Sequence, residues 1–337
     1  MSCPFPESRR AAVDHALMTA FGTAELDGAA QLSGGLSGAG VYRIRVGGIA
    51  YLLRLDSPAN AFGDPARAYA CMRTAAAACL APRVHYACAK DRVTITDFVP
   101  SLPLALEYPG DGRPMVVELA QTIRALHQAP PFPPMVDYLD GMQELIRHHR
   151  TTTLLDPAAT APVLERYAAL GAAYRTADAD RVSSHNDLNP GNIVYDGRRL
   201  WLVDWEAAFL ADRFVDLATV ANWFANDPAR EDLLLATYFG APPTAEQRAR
   251  LYLMRQVNHV FYGMIFLNVA AAERPEARVA ADLDGPGLAE IGAGLASGAF
   301  QMPVWENRIA YAKARLRAAH VGMQGPAFEA ALAAVAA

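Results

Sequence analysis

The residues with the most chemistry to offer lie in one run, "SHNDLNPGNIVYDGRRLWLVDWEAA", from Ser184 to Ala208. Asp187 has His185 two residues before it and Asn192 five after it, and Asp204 follows twelve residues beyond Asn192. A plain β-hairpin needs only the Asp196-Gly197 turn between "NIVY" and "RLWLV", which explains the middle of the run and neither end. Both ends make sense as parts of a phosphoryl-transfer site. Asp187 orients or accepts the proton of an attacking hydroxyl, Asn192 supplies a neutral oxygen to a divalent cation, and Asp204 supplies an anionic one. The hairpin then has a purpose, since it draws Asn192 and Asp204 together. His185 is expected to hold the loop backbone rather than react.

The rest of the chain must position that run. Its 337 residues suffice for two lobes with sizeable cores, and 53% hydrophobic against 19% charged residues reads as globular. A net charge of -5 speaks against a nucleic-acid-binding face. Cys3, Cys71, Cys79 and Cys88 have no C-x-x-C spacing, so reduced thiols in a cytoplasmic protein are expected rather than zinc ligands or disulfides. No signal-peptide pattern opens the chain, and the apolar run Val260–Ala272 is too short to span a bilayer. No membrane insertion is expected.

A helix is expected over residues 8–26. Strand-like runs follow in "AAQLSGG", "GVYRIRVG", "IAYLLRLD", "PRVHYACA" and "RVTITDFV", interrupted by one Ala-rich helix, "DPARAYACMRTAAAACL". From Pro103 onward, helical spacing dominates on both sides of the Ser184–Ala208 run and persists through "GPAFEAALAAVAA" at the C-terminus. The expected class is α+β: an N-terminal lobe over 1–99, built as an antiparallel β-sheet with one helix, and a larger, mainly helical C-terminal lobe over 100–337 that includes the Ser184–Ala208 run.

"HNDLNPGN" followed by "LVDWE" resembles the motif of the aminoglycoside phosphotransferase and choline kinase superfamily, small-molecule kinases related to protein kinases. The resemblance implies a two-lobed protein-kinase-like fold, with Mg2+ bound and ATP as co-substrate. It also implies a Gly-rich phosphate loop upstream, and "LSGGLSGAGVYRIRV" offers Gly34, Gly35, Gly38 and Gly40, with Ser37 placed to contact phosphate. The third strand should carry a cation for the phosphates. Lys90 and Lys313 are the only lysines and neither is placed for this, so the role falls to Arg54, whose planar fork keeps its charge. Asp97, Phe98 and Val99 match the hinge that meets the purine through its backbone, and Asp216 matches an Asp that braces the catalytic loop. One departure stands out. Family members usually pair the strand cation with a Glu on the N-lobe helix, yet no acid occurs from Arg67 to Pro82. Either Arg54 is held by something else, Asp204 and the nucleotide being the candidates, or the pair is absent.

The acceptor is expected to be a small hydroxylated molecule, nearer the choline and ethanolamine kinase side of the superfamily. Polycationic aminoglycosides need several carboxylates, and the stretch Arg250–Ala272 has none while carrying Arg255. A single ammonium needs an aromatic wall and an acid, for which Trp205, Glu206, Tyr262, Trp305 and Glu306 are candidates. An antibiotic phosphotransferase and a nucleotide-binding pseudokinase are the alternatives. The second is disfavoured because Asp187, Asn192 and Asp204 are all present.

Overall fold

The computed structural model describes residues 4–32, 38–57, 64–104 and 108–336. By compactness the chain forms two units, Met1–Pro134 with Val182–Leu210, and Met135–Arg181 with Ala211–Ala337. The catalytic run thus groups with the β-rich part of the chain.

The first unit holds a five-stranded antiparallel sheet of order β1-β2-β3-β5-β4, from β1 (Gly28–Gln31), β2 (Gly40–Val46), β3 (Ile49–Leu55), β4 (Val84–Cys88) and β5 (Val93–Asp97). All five strands fall on the runs that the sequence predicts. β2 and β3 pair from Gly40↔Leu55 to Val46↔Ile49, so Gly47 and Gly48 form a two-residue turn. Both have positive φ, 56° and 79°, which suits the twist of the flanking strands and favours glycine. Tyr42, Ile44 and Val46 alternate inward with exposed Arg43 and Arg45.

The inward face packs against helix α1 (Arg10–Phe21) through Val13, Ala16 and Leu17, in one core with Leu53, Val93 and Ile95. The sequence places this helix ahead of the sheet, and the structure shows it covering the sheet. It stops short of the expected residue 26 because Gly22, at φ 74°, takes a left-handed cap. α2 (Pro65–Ala77) is N-capped by Asp64, whose side chain accepts from Ala66 N. α3 (Arg113–His127) also belongs to this unit. Glu118 on α3 accepts the N–H of Leu200 at 2.7 Å, which fastens the helix to the catalytic hairpin.

The second unit is helical: α4 (Tyr138–His149), α5 (Pro157–Ala173), α6 (Arg213–Phe224), α7 (Pro228–Phe239), α8 (Ala245–Glu273), α9 (Leu288–Ser297), α10 (Trp305–Gly322) and α11 (Pro326–Ala336). α8 begins with a capping box between Thr244 and Gln247 and runs for 29 residues through the core. It lies close against α10. A Cβ on Gly263 would meet Leu316 Cγ at 2.6 Å, so no larger residue fits there without movement. The sequence reading missed α9. No helix among the described residues is long and apolar enough to cross a membrane.

Candidate active site

The site is built on a short hairpin. β7 (Ile193–Tyr195) pairs with β8 (Leu200–Leu202) from Ile193↔Leu202 to Tyr195↔Leu200. The loop is therefore four residues, longer than the two-residue turn expected. Asp196 closes it by accepting from the N–H groups of Arg198 and Arg199 at 2.8 and 3.0 Å. At the open end Val203 N donates to Asn192 O at 3.0 Å, so Asn192 and Asp204 come together from positions twelve residues apart, as the spacing predicts.

Asp187 sits in the loop before β7 with its carboxylate held at both oxygens. Asn189 Nδ2 donates to Oδ1 at 2.9 Å, and Asn192 Nδ2 donates to Oδ2 at 3.0 Å and to the backbone O of Asp187 at 2.8 Å. These bonds settle the Asn192 amide orientation. Its nitrogen is spent on Asp187, and its Oδ1 is the atom left to ligate a cation. His185 is fully buried, and its Nε2 bonds the carbonyl of Val203 at 2.9 Å. Because a carbonyl only accepts, that nitrogen carries the proton. The ring thereby bonds the backbone just before Asp204.

Two non-glycine residues here have left-handed backbone, Asn186 at φ 64° and Asp204 at φ 65°, a conformation that Asn and Asp tolerate better than most residues. Asn186 Nδ2 donates to Ala207 O at 3.0 Å. The loop carrying Asp187 thereby holds the segment carrying Asp204.

Arg54, on β3, points into the same cluster. Nε bonds Asp56 at 2.5 Å, Nη1 bonds Asp204 at 3.1 Å, and Nη2 bonds Glu206. Burial alone would lower the guanidinium pKa, but Asp204 and Asp56 outweigh it and hold the pKa above its ordinary value. Three carboxylates against one guanidinium leave the cluster at a net charge of -2, which suits a divalent cation. Among the described residues no three His, Cys, Asp or Glu side chains converge as a metal cage. The fit is to a cation that takes Asn192 and Asp204 and draws its remaining oxygens from phosphate and water, as magnesium does in nucleotide sites.

The other expected residues divide clearly. Gly34, Gly35 and Ser37 lie outside the described residues. Gly38 has φ 68°, a left-handed backbone that glycine adopts without strain. Asp97 ends β5, its N–H donates to Arg83 O at 2.9 Å, and its carboxylate bonds His85 Nε2 at 2.7 Å. Arg43 stacks over Phe98 at 4.7 Å. Val99 follows β5 in the segment without regular structure. Asp216 is fully buried on α6, in the helical unit.

The acceptor candidates divide between the two units, Trp205 and Glu206 in the first and Tyr262, Trp305 and Glu306 in the second. Trp205 is core, packed against His185 at 4.6 Å and Phe132 at 6.0 Å between ring centroids. Glu206 spends its carboxylate on Arg54. In the helical unit, Arg315 is buried among the rings of Trp223, Tyr262 and Tyr311, its Cζ 4.8–5.0 Å from their centroids. Trp305 bonds Ala270 O at 3.0 Å and is stacked by Arg274, which also pairs with Glu306 at 3.1 Å. Tyr262 and Ala270 are two turns apart on α8, about 12 Å along its axis. Arginines of the chain itself cover the two aromatic surfaces that the sequence reading offered to a ligand ammonium.

Sequence reasoning missed Asp56, Tyr69 and Arg67. Tyr69 OH bonds Asp56, and Arg67 reaches the carbonyls of Glu206 and Ala208. Asp56 was legible as the carboxylate of "RLD", two residues after Arg54. Arg67 had a weaker signal, a charged residue near the start of an otherwise Ala-rich helix.

Residues 28–252 match the family profile described as "Phosphotransferase enzyme family". No curated protein matches the chain. Among solved structures, the chain is similar to a choline/ethanolamine kinase family protein from Mesorhizobium loti, at 23% identity and TM-score 0.66, covering 98% of each chain. It is similar to choline kinase LicA from Streptococcus pneumoniae, at 14% identity and TM-score 0.62, covering 93% of this chain and 100% of that one. Spectinomycin phosphotransferase APH(9)-Ia, solved with ADP and spectinomycin, aligns at 12% identity and TM-score 0.59 over 92% of this chain and 100% of its own. At these identities the likeness carries the two-part kinase-like fold.

Proposed function

Because the chain belongs to the phosphotransferase enzyme family, we propose that it transfers the γ-phosphate of ATP to a hydroxyl of a small acceptor, an amino alcohol of the choline or ethanolamine class. The observation that carries the transfer reaction is the joint placement of Asp187, Asn192, Asp204 and Arg54 around one hairpin end. Held at both oxygens by amides, Asp187 keeps its carboxylate fixed in orientation, ready to take the proton of an incoming hydroxyl. Asn192 Oδ1 and Asp204 would hold the magnesium ion, which when bound neutralises phosphate charge. Arg54 exchanges Asp204 for phosphate oxygens, to which its planar fork presents N–H donors. We assign nucleotide contacts to Gly34, Gly35, Ser37, Gly38 and the backbone from Asp97 to Val99, and support of the catalytic loop to Asp216.

Support for the amino-alcohol acceptor comes from two directions. The stretch of α8 from Arg250 to Ala272 offers no carboxylate to a polycation, and several structural neighbours are choline or ethanolamine kinases. The aromatic candidates add little to this, since Arg315 and Arg274 already cover Tyr262 and Trp305. The test compares acceptor-dependent ADP release for choline, ethanolamine and kanamycin- or spectinomycin-type acceptors under one set of conditions. Higher kcat/KM for the amino alcohols supports the assignment. Efficient turnover of the antibiotics alone replaces it with antibiotic phosphorylation.

A further inference from the structure

We propose that Arg67 and Glu206 together replace the acid missing from α2: Arg67 clamps the metal-binding segment, and Glu206, carried on that segment, positions Arg54 for the nucleotide phosphates. The proposal rests on the kinase reading above. It makes Arg67 and Glu206 positioning residues.

The clamp is visible in the carbonyls of the segment after Asp204. Arg67 Nη2 donates to Glu206 O at 2.8 Å, Arg67 Nη1 donates to Ala208 O, and Asn186 Nδ2 donates to Ala207 O between them at 3.0 Å. Three successive carbonyls are thus held by two side chains, Arg67 of α2 taking the outer two and Asn186 of the catalytic loop the middle one. Cys71, one turn beyond Arg67 on the same face, also meets Ala208 O through Sγ at 3.5 Å. Arg67 is 6% exposed. Burying a guanidinium is costly unless its donors are satisfied, and a fork that spans two carbonyls two residues apart satisfies it with a geometry that lysine cannot reproduce.

With its backbone fixed, Glu206 presents its carboxylate to Arg54 Nη2. The helix contributes a second contact through Tyr69, which donates to Asp56, which in turn bonds Arg54 Nε. α2 therefore governs Arg54 without an acid of its own, through an arginine and a tyrosine acting on carboxylates carried elsewhere. When a divalent cation takes Asp204, Arg54 loses one of its three carboxylates, and Glu206 and Asp56 remain to aim it. Without Glu206, Arg54 depends more on Asp204 and competes with the cation for it.

The experiment measures equilibrium binding of a fluorescent ATP analogue without acceptor, across a magnesium titration, for the wild type, Glu206→Gln and Arg67→Lys, with the melting temperature of each unliganded protein. Both variants are expected to bind about tenfold more weakly, the effect of losing roughly one charge-assisted hydrogen bond, and to need more magnesium for half-maximal binding. The acceptor KM of Glu206→Gln should stay at the wild-type value. Nucleotide affinity within twofold of wild type in Glu206→Gln overturns the proposal, whether or not its acceptor KM rises, and a rise would assign Glu206 to the acceptor. If Arg67→Lys does not fold, Glu206→Gln decides. A wild-type protein that binds no nucleotide defeats the kinase reading itself, an outcome distinct from wild-type binding that both variants retain.

Discussion

Replacing Asp187 by Asn exchanges one carboxylate oxygen for an NH2 group and should nearly stop the reaction. In the wild type both carboxylate oxygens accept, from Asn189 at 2.9 Å and from Asn192 at 3.0 Å. An amide at residue 187 has one acceptor oxygen, so one of those two donors must face another NH2 group. Losing one hydrogen bond to a charged acceptor costs about 1.5–3 kcal/mol, or roughly ten- to a hundredfold if all of it falls on the transition state. Loss of the base itself contributes a further factor of about 10² to 10⁴. Turnover should therefore fall at least about a hundredfold, the lower figure for base loss taken alone. Nucleotide affinity should survive, because Asn192 still donates to the backbone O of residue 187 at 2.8 Å and so keeps its metal-facing oxygen in place. Asn189→Ala provides the control, since it removes one donor and keeps the carboxylate, and it should cost about tenfold. The assay is acceptor-dependent ADP release at saturating substrates, with binding of a fluorescent ATP analogue measured in parallel. Turnover of Asp187→Asn within a few-fold of wild type would refute the reasoning.

Two further predictions concern the metal and the pH dependence of stability. Asp204→Ala should abolish the magnesium-dependent rise in melting temperature given by nucleotide, and Asn192→Ala should reduce it less, since a neutral ligand contributes less than an anionic one; equal effects, or none, would remove the hairpin's purpose. Burial, then Arg315 and Arg255, holds the His259 pKa well below its ordinary value, and burial, then Arg150 and His148, lowers that of His149. The unfolded chain therefore takes up protons first. The stability these neutral rings contribute is complete above about pH 6.5 and is lost as pH falls, by up to about 1.4 kcal/mol per pH unit for each histidine. Melting temperature against pH should be steeper below 6.5 in the wild type than in His259→Asn, which keeps an acceptor for Arg315 Nη1, found 3.1 Å from His259 Nδ1; equal slopes would exclude His259 as the source.

What the sequence made legible was local. The sheet strands announced themselves by alternation and by glycine turns, and Asp187, Asn192 and Asp204 by spacing within one hairpin. Two short strands beside that hairpin, β6 (Arg181–Ser184) and β9 (Phe209–Asp212), are four residues each and too brief to show a period. α9 escaped notice because "LAEIGAGLAS" mixes two glycines into a ten-residue helix with only Ile291 buried. Partnerships over long separations were illegible for a different reason. Arg54 and Glu206 are 152 positions apart, and nothing in either neighbourhood announces the other. The missing helix acid posed the question of what holds Arg54, and Asp204 was the part of the answer that spacing allowed. The aromatic residues on α8 and α10 were visible as a candidate ligand wall, but sequence does not reveal what lies over a ring. Tyr311 and Arg315, four residues apart on one helix face, were the available sign that the cation is internal.

The most direct test of the account follows ATP by ³¹P NMR in the presence of magnesium and an amino-alcohol acceptor, with wild-type protein and Asp187→Asn side by side. The account predicts that the γ-phosphate resonance is replaced by a phosphomonoester resonance in step with ADP formation, in the wild type and not in the variant. ATP that persists, or that yields only inorganic phosphate across the whole acceptor panel, would contradict it.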